Sequence, residues 1–127
     1  MTDLRLLSMA ADAMQYSYSP YSHFKVGAAL LCADGSVYTG ANIENGAYSA
    51  TVCAERTAFF KAISEGKKQF TKIAIVGGNI EKPCYPCGVC RQVMSEFCDE
   101  NFEILLLKDG EIIKHTLSEL LPHSFKL

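Results

Sequence analysis

The sequence predicts an α/β fold, a three-layer αβα arrangement around a mixed sheet of roughly five strands. Three observations carry that expectation. Apolar runs with helical spacing interleave with apolar, partly β-branched runs in the order helix, hairpin, helix, strand, helix, hairpin, short helix. Asp34-Gly35 and Asp109-Gly110 each join two such runs, a strong hairpin signal. The run from Lys72 to Val76 is short and apolar and ends in Gly77-Gly78, as expected of a buried central strand.

Taken in order, Leu4, Leu6, Leu7, Met9, Ala10, Ala13 and Met14 keep helical spacing until Ser19-Pro20 closes the segment. Val26 to Cys32 and Val37 to Ile43 form the first predicted hairpin around Ala33 to Ser36. A second helix runs from Cys53 to Ser64 and stops before Gly66, which tolerates the left-handed backbone that ends helices. After the central strand and an Asn79 to Pro86 loop, a third helix spans Cys87 to Cys98, with Pro86 at its threshold and Cys90, Val93, Met94 and Phe97 on one face. Ile104 to Leu107 and Glu111 to His115 make the second hairpin, and Leu117 to Leu121 a last short helix before a Pro122 to Leu127 tail. Neither a repeat nor a linker interrupts the chain, so residues 1–127 are expected to form a single domain.

Composition narrows the function classes. Twelve basic and 14 acidic residues leave a net charge of −2, with no cationic stripe to follow a phosphate backbone, so nucleic acid is not an expected partner. Met1 to Ala13 carries Asp3, Arg5 and Asp12 and therefore does not read as a signal peptide or membrane span. A cytoplasmic protein without membrane attachment is expected. Six cysteines in such a chain are better read as reduced thiols than as a disulfide framework.

Their spacing points to metal. Cys87 and Cys90 stand three apart at a helix start and share a face. Zinc favours thiolates in a tetrahedron, and Cys53 opens the other cysteine-led helix. Helix N-termini stabilise thiolate over thiol through free N–H groups and the positive dipole end. Three thiolates on Zn²⁺ leave one excess negative charge, and Arg56 and Arg91, each within a turn of a ligand, are expected to donate to cysteine sulfur and offset it. Glu55, two residues past Cys53, is placed to take a proton from metal-activated water and pass it to a substrate.

Cys53-Ala54-Glu55 followed by Pro86-Cys87-Gly88-Val89-Cys90 resembles the signature of zinc nucleoside and nucleobase deaminases. Tyr18 to Ser22, Phe24 to Ala28, Asn42 to Asn45, Cys90-Arg91-Gln92, and Leu120 to Pro122 with Phe125 are similar to the small homotetrameric cytidine deaminases, so the resemblance covers nearly the whole chain. It implies one Zn²⁺ per chain on Cys53, Cys87 and Cys90, proton transfer by Glu55, and conversion of cytidine and deoxycytidine to uridine and deoxyuridine with release of ammonia. It further implies that Asn42 and Glu44 bind the ribose, Phe24 packs beside the nucleoside, and the Ala54 backbone meets the base carbonyl. Tyr48 and Phe125 would enter a neighbouring subunit's pocket in a homotetramer with active sites at subunit interfaces. Tyr85 departs from the pattern, standing where similar enzymes carry serine; the backbone carbonyl there would accept from the pyrimidine amino group. Independently, a carboxylate such as Glu44 accepts from a sugar hydroxyl but repels phosphate, which favours a nucleoside.

Other readings of these residues stand beside this one. Cys84 with the other three thiols would make a closed, structural zinc module. Cys87-Gly88-Val89-Cys90 has the form of a dithiol oxidoreductase motif. Deamination of a related aminonucleoside, such as a nucleoside antibiotic, is the nearest enzymatic alternative. Cys32 and Cys98 are expected to be buried apolar residues, and His23, His115 and His123 to be surface or loop residues.

Overall fold

Thr2 starts the first helix: its side chain accepts from the Arg5 N–H at 3.0 Å, and α1 runs Asp3–Ala13 in the computed structural model, which describes residues 1–127. The helix buries Leu6, Leu7, Ala10 and Ala13 and then tightens into a 3₁₀ turn at Met14–Tyr16, sooner than Ser19-Pro20 suggests. Strands β1 (Val26–Cys32) and β2 (Val37–Ala41) pair antiparallel, and their turn is pinned by Asp34, whose carboxylate accepts from the Ser36 N–H and hydroxyl.

Strand β2 ends two residues short of the expected Ile43. The Asn42 side chain takes over the pairing there, accepting from the Val26 N–H at 2.9 Å and donating to the Phe24 carbonyl at 2.8 Å. Ile43 instead forms isolated bridges with Tyr18 and Val52. Helix α2 (Ala54–Ser64) crosses over β2, where a Cβ on Gly40 would sit 2.4 Å from the Ala54 carbonyl oxygen, so only glycine admits the helix start at this height. Strand β3 (Phe70–Gly77) is central, α3 (Gly88–Phe97) follows, and β4 (Glu103–Lys108) pairs with β5 (Glu111–Thr116) through Asp109 and Gly110, both at positive φ as a type I′ turn requires. A Thr116 and Glu119 capping box starts α4 (Leu117–Leu120).

The sheet order is β2-β1-β3-β4-β5, mixed because β3 runs parallel to β4 while every other pair is antiparallel. Strand residues alternate between two cores. Ala29, Leu31, Ala74, Val76 and Leu105 meet α1 on one face. On the other, Ala28, Leu30, Ile73, Ile75, Ile104 and Leu106 meet Ala58 and Phe59 of α2 and Met94 of α3. The predicted αβα layering with five strands is what forms, and the continuous apolar runs of β1 and β3 reflect burial on both faces. No helix is long and apolar enough to cross a membrane.

Candidate active site

Two helix N-termini converge on one spot. Cys53 is the N-cap of α2 and Cys87 the N-cap of α3, and neither side chain is used in capping, which leaves both thiols free. Cys90 lies in the first turn of α3. The three Sγ atoms fall within 4.8 Å of one another, and those of Cys53 and Cys87 are 3.8 Å apart. A tetrahedral zinc with Zn–S bonds of about 2.3 Å needs sulfurs about 3.8 Å apart, so the donor set fits zinc in kind and in spacing. Burial is graded across the cluster: Cys90 is buried, Cys53 half-buried and Cys87 exposed, so the site is anchored in the core and open at one side.

The proton is unevenly held. Hydrogen bonding with Cys90 pulls the Cys53 thiol below its ordinary range, against burial and with help from Arg56 and Cys87. The same bond, together with burial, pushes Cys90 up. Arg56 donates to Cys53 Sγ at 3.3 Å, as expected, and its Nε–H is buried without a partner beside the thiols. Arg91 does not donate to a sulfur. Its Nε donates to the Pro86 carbonyl at 2.8 Å and its Nη1 to the Leu120 carbonyl at 2.7 Å, because two carbonyls outside regular pairing lie within its reach.

Glu55 is 4 % exposed, and burial pushes its carboxyl up to about 7, so it is poised to hold or release a proton near neutrality. Cys84 lies outside the thiol group; its sulfur packs by Gly77, and burial pushes it up to about 12. Cys32 and Cys98 are buried in the core.

The bridge between Ile43 and Val52 lays the Asn42 to Glu44 segment alongside the residues that enter Cys53. Asn42 is buried, and its Oδ1 also accepts from the Ser17 hydroxyl at 2.5 Å. Glu44 accepts from the Tyr21 and Ser22 N–H groups and from the Ser22 hydroxyl, a bond that holds its carboxyl below the usual range. Tyr21, Glu44, Asn45, Tyr48 and Thr51 line a shallow cavity of about 260 Å³. Phe24 packs on Gly78 and is half exposed, Ala54 is fully buried, and Tyr48 and Phe125 are exposed.

Sequence reasoning missed the polar residues that hold these groups. Ser22 closes the Tyr18 to Ser22 segment already noted, but nothing local pairs it with Glu44 or Ser17 with Asn42. His115, expected on the surface or in a loop, sits on β5 with Nε2 3.1 Å from the Tyr85 hydroxyl and Nδ1 3.1 Å from Glu119. Thr116 and Glu119, spaced as a capping box, were the available signal for Glu119, while nothing local pointed from His115 to Tyr85.

An αβα sheet carrying three thiols at two helix starts, with a buried carboxylate beside them, defines a zinc-site protein equipped for acid–base chemistry. Residues 1–106 match the model of the cytidine and deoxycytidylate deaminase zinc-binding region. The chain is 51% identical to the cytidine deaminase of Halalkalibacterium halodurans, covering 94% of this chain and 91% of that one. It superposes on the crystal structure of cytidine deaminase from Burkholderia pseudomallei with a TM-score of 0.92 at 43% identity, covering 98% and 100% of the two chains. It is also 32% identical to a blasticidin-S deaminase of Bacillus cereus, over 94% of this chain and 89% of that one. The chain belongs to the cytidine and deoxycytidylate deaminase family.

Proposed function

We propose that the protein hydrolyses the 4-amino group of cytidine and deoxycytidine. Water adds at the pyrimidine C4, the C4–N bond breaks, ammonia leaves, and C4 keeps the oxygen as the carbonyl of uridine or deoxyuridine. The observation that carries this reading is the buried Glu55 carboxylate, two residues past Cys53 at the shared mouth of two helix N-termini. Cys53, Cys87 and Cys90 hold one zinc per chain, which when bound supplies a Lewis acid that makes water a stronger acid.

Glu55 takes the proton of the attacking water and passes it to the substrate, a role its near-neutral carboxyl suits. Ala54, the first residue of α2, offers a backbone N–H of the kind that has no partner within a helix, and it meets the base carbonyl. Asn42 and Glu44 bind the ribose, Phe24 lies beside the nucleoside, and the negative charge of Glu44 disfavours a phosphorylated substrate. Tyr48 and Phe125, both exposed, complete a neighbouring chain's pocket in a homotetramer. We assign the chain one domain and a cytoplasmic place of action.

The second reading is deamination of a related aminonucleoside, favoured by the similarity to the Bacillus cereus enzyme. Glu55→Gln separates catalysis from metal binding: it should abolish the loss of cytidine absorbance while each chain retains one zinc. Undiminished turnover would remove Glu55 from the reaction. Parent protein that releases ammonia from an aminonucleoside antibiotic but not from cytidine would favour the second reading.

A further inference from the structure

The residues leading into Cys87 are held in an unusual way. Pro83 to Pro86 form no main chain–main chain hydrogen bond, and the two prolines have no N–H to offer. Yet Cys87 is the exposed thiol of the cluster and is reached directly from this segment, whereas Cys90 is locked in the core face of α3. Main-chain pairing holds Cys87 only from the helix side, where its carbonyl accepts from the Arg91 N–H at 3.0 Å, so something else must set the peptide that enters it.

Side-chain contacts tie the segment to the end of the chain at two points. The Arg91 guanidinium spans from the Pro86 carbonyl, one peptide before Cys87, to the Leu120 carbonyl in α4. The Tyr85 hydroxyl meets His115 Nε2 on β5, with the two rings 5.4 Å apart. Glu119 accepts at His115 Nδ1, which makes that nitrogen the donor and leaves Nε2 to accept from the tyrosine. Glu119 is itself fixed, because its other oxygen accepts from the Thr116 N–H and hydroxyl in the capping box of α4.

We infer that Arg91 and His115 are positioning residues for the zinc ligand Cys87, through which β5 and α4 grip the 83–86 segment at the Pro86 carbonyl and the Tyr85 hydroxyl. The inference builds on the reading of the three thiols as a zinc site. Arg91 sets the height of the peptide entering Cys87, and the Tyr85–His115–Glu119 chain stops that peptide from swinging outward. A guanidinium is suited to the first task because its planar fork serves two acceptors at once, which an ammonium on a flexible stem does not reproduce.

The test uses the full chain loaded with zinc or cobalt(II) and compares Arg91→Ala, Arg91→Lys, Tyr85→Phe and His115→Phe with the parent. The readouts are the rate at which zinc passes to a chelator and the absorption bands of the cobalt protein. Arg91→Ala should weaken zinc retention by about 10-fold or more, the usual effect of losing a group that orients a ligand, and should shift the cobalt bands. Arg91→Lys should recover part of that loss. Tyr85→Phe, which keeps the ring and removes only the hydroxyl, should release zinc faster than the parent, and adding His115→Phe should accelerate release no further. Parent-like release and cobalt spectra in Arg91→Ala and Tyr85→Phe would overturn the inference, even with a lowered melting temperature. Should Arg91→Ala not fold, Tyr85→Phe decides the matter. A parent chain that binds no cobalt would defeat the zinc reading itself, a result distinct from a normal parent with unaffected variants.

Discussion

Arg56 stands alone among the side chains as a direct donor to the thiol cluster, 3.3 Å from Cys53. Its place three residues after Cys53 puts it on the same helix face, so its role was legible from spacing. Arg91 was not legible in the same way. Its acceptors are the Pro86 and Leu120 carbonyls, the second 29 residues away, and no local pattern announces an unpaired carbonyl brought in by folding. On the proposed zinc reading, the excess charge of three thiolates would fall to Arg56 and the two helix ends. Arg56→Ala should lower kcat/KM by about 10-fold to 100-fold, the range found when a group bonded to a metal ligand is lost. Steady-state kinetics at measured zinc content checks this, and unchanged values would mean that the helix ends suffice. The grouping of the three thiols and the place of Glu55 were readable because thiol spacing and helix starts are local properties. The partners of Asn42 and Glu44 were not, because Ser17 and Ser22 reach them only in the folded chain.

At the scale of elements, helix type, strand type and both hairpins follow from periodicity and turn chemistry, while two ends do not. Strand β2 stops early because an asparagine side chain replaces the backbone of a neighbouring strand. Helix α1 stops early by tightening into a 3₁₀ turn, with its last residues directly above β1. Both outcomes are decided by tertiary partners, which sequence periodicity does not encode. The close seat of α2 on β2 yields a prediction of its own. In Gly40→Ala the new Cβ would lie 2.4 Å from the Ala54 carbonyl oxygen and 2.6 Å from the Ala58 nitrogen, both parts of the helix backbone, so α2 must lift. Cys53 and Glu55 rise with it. Zinc content per chain and cytidine turnover should therefore fall together in this variant, and a fully loaded, active Gly40→Ala would show that the helix tolerates the shift.

Across the whole molecule, an ion cluster ties α1 to β3, β4 and the edge strand β5: Asp3 meets Lys114 at 2.7 Å and Lys72 at 3.0 Å, and Lys72 also meets Glu103. Bonding to Lys114 and then Lys72 holds the Asp3 carboxyl below its ordinary 3.8. A depressed acid stabilises the fold at every pH above its unfolded value, and that stability drains away as pH falls from 3.8 through the lower folded value. Asp3→Asn should accordingly be less stable than the parent at neutral pH, with the gap narrowing below 3.8; denaturant titrations across that range check it. Assembly is the other question at this scale. Phe60, Tyr48 and Phe125 are exposed aromatics, and light scattering should return the mass of four chains, with Phe125→Ala lowering turnover more than it lowers the melting temperature. A monomeric mass would remove the shared-pocket reading. The distribution of the three thiols has a bearing on how the protein is made. Cys84, Cys87 and Cys90 are neighbours even in a nascent chain, but Cys53 lies 34 residues from Cys87 and meets it only across the folded sheet, in which β3 stands between β1 and β4. An unfolded chain thus offers Cys84, Cys87 and Cys90, and folding turns Cys84 away beside Gly77 and brings Cys53 in as the third member of the cluster. The two three-thiol sets differ in one respect that matters for chemistry, since only the folded one stands beside the buried Glu55 carboxyl.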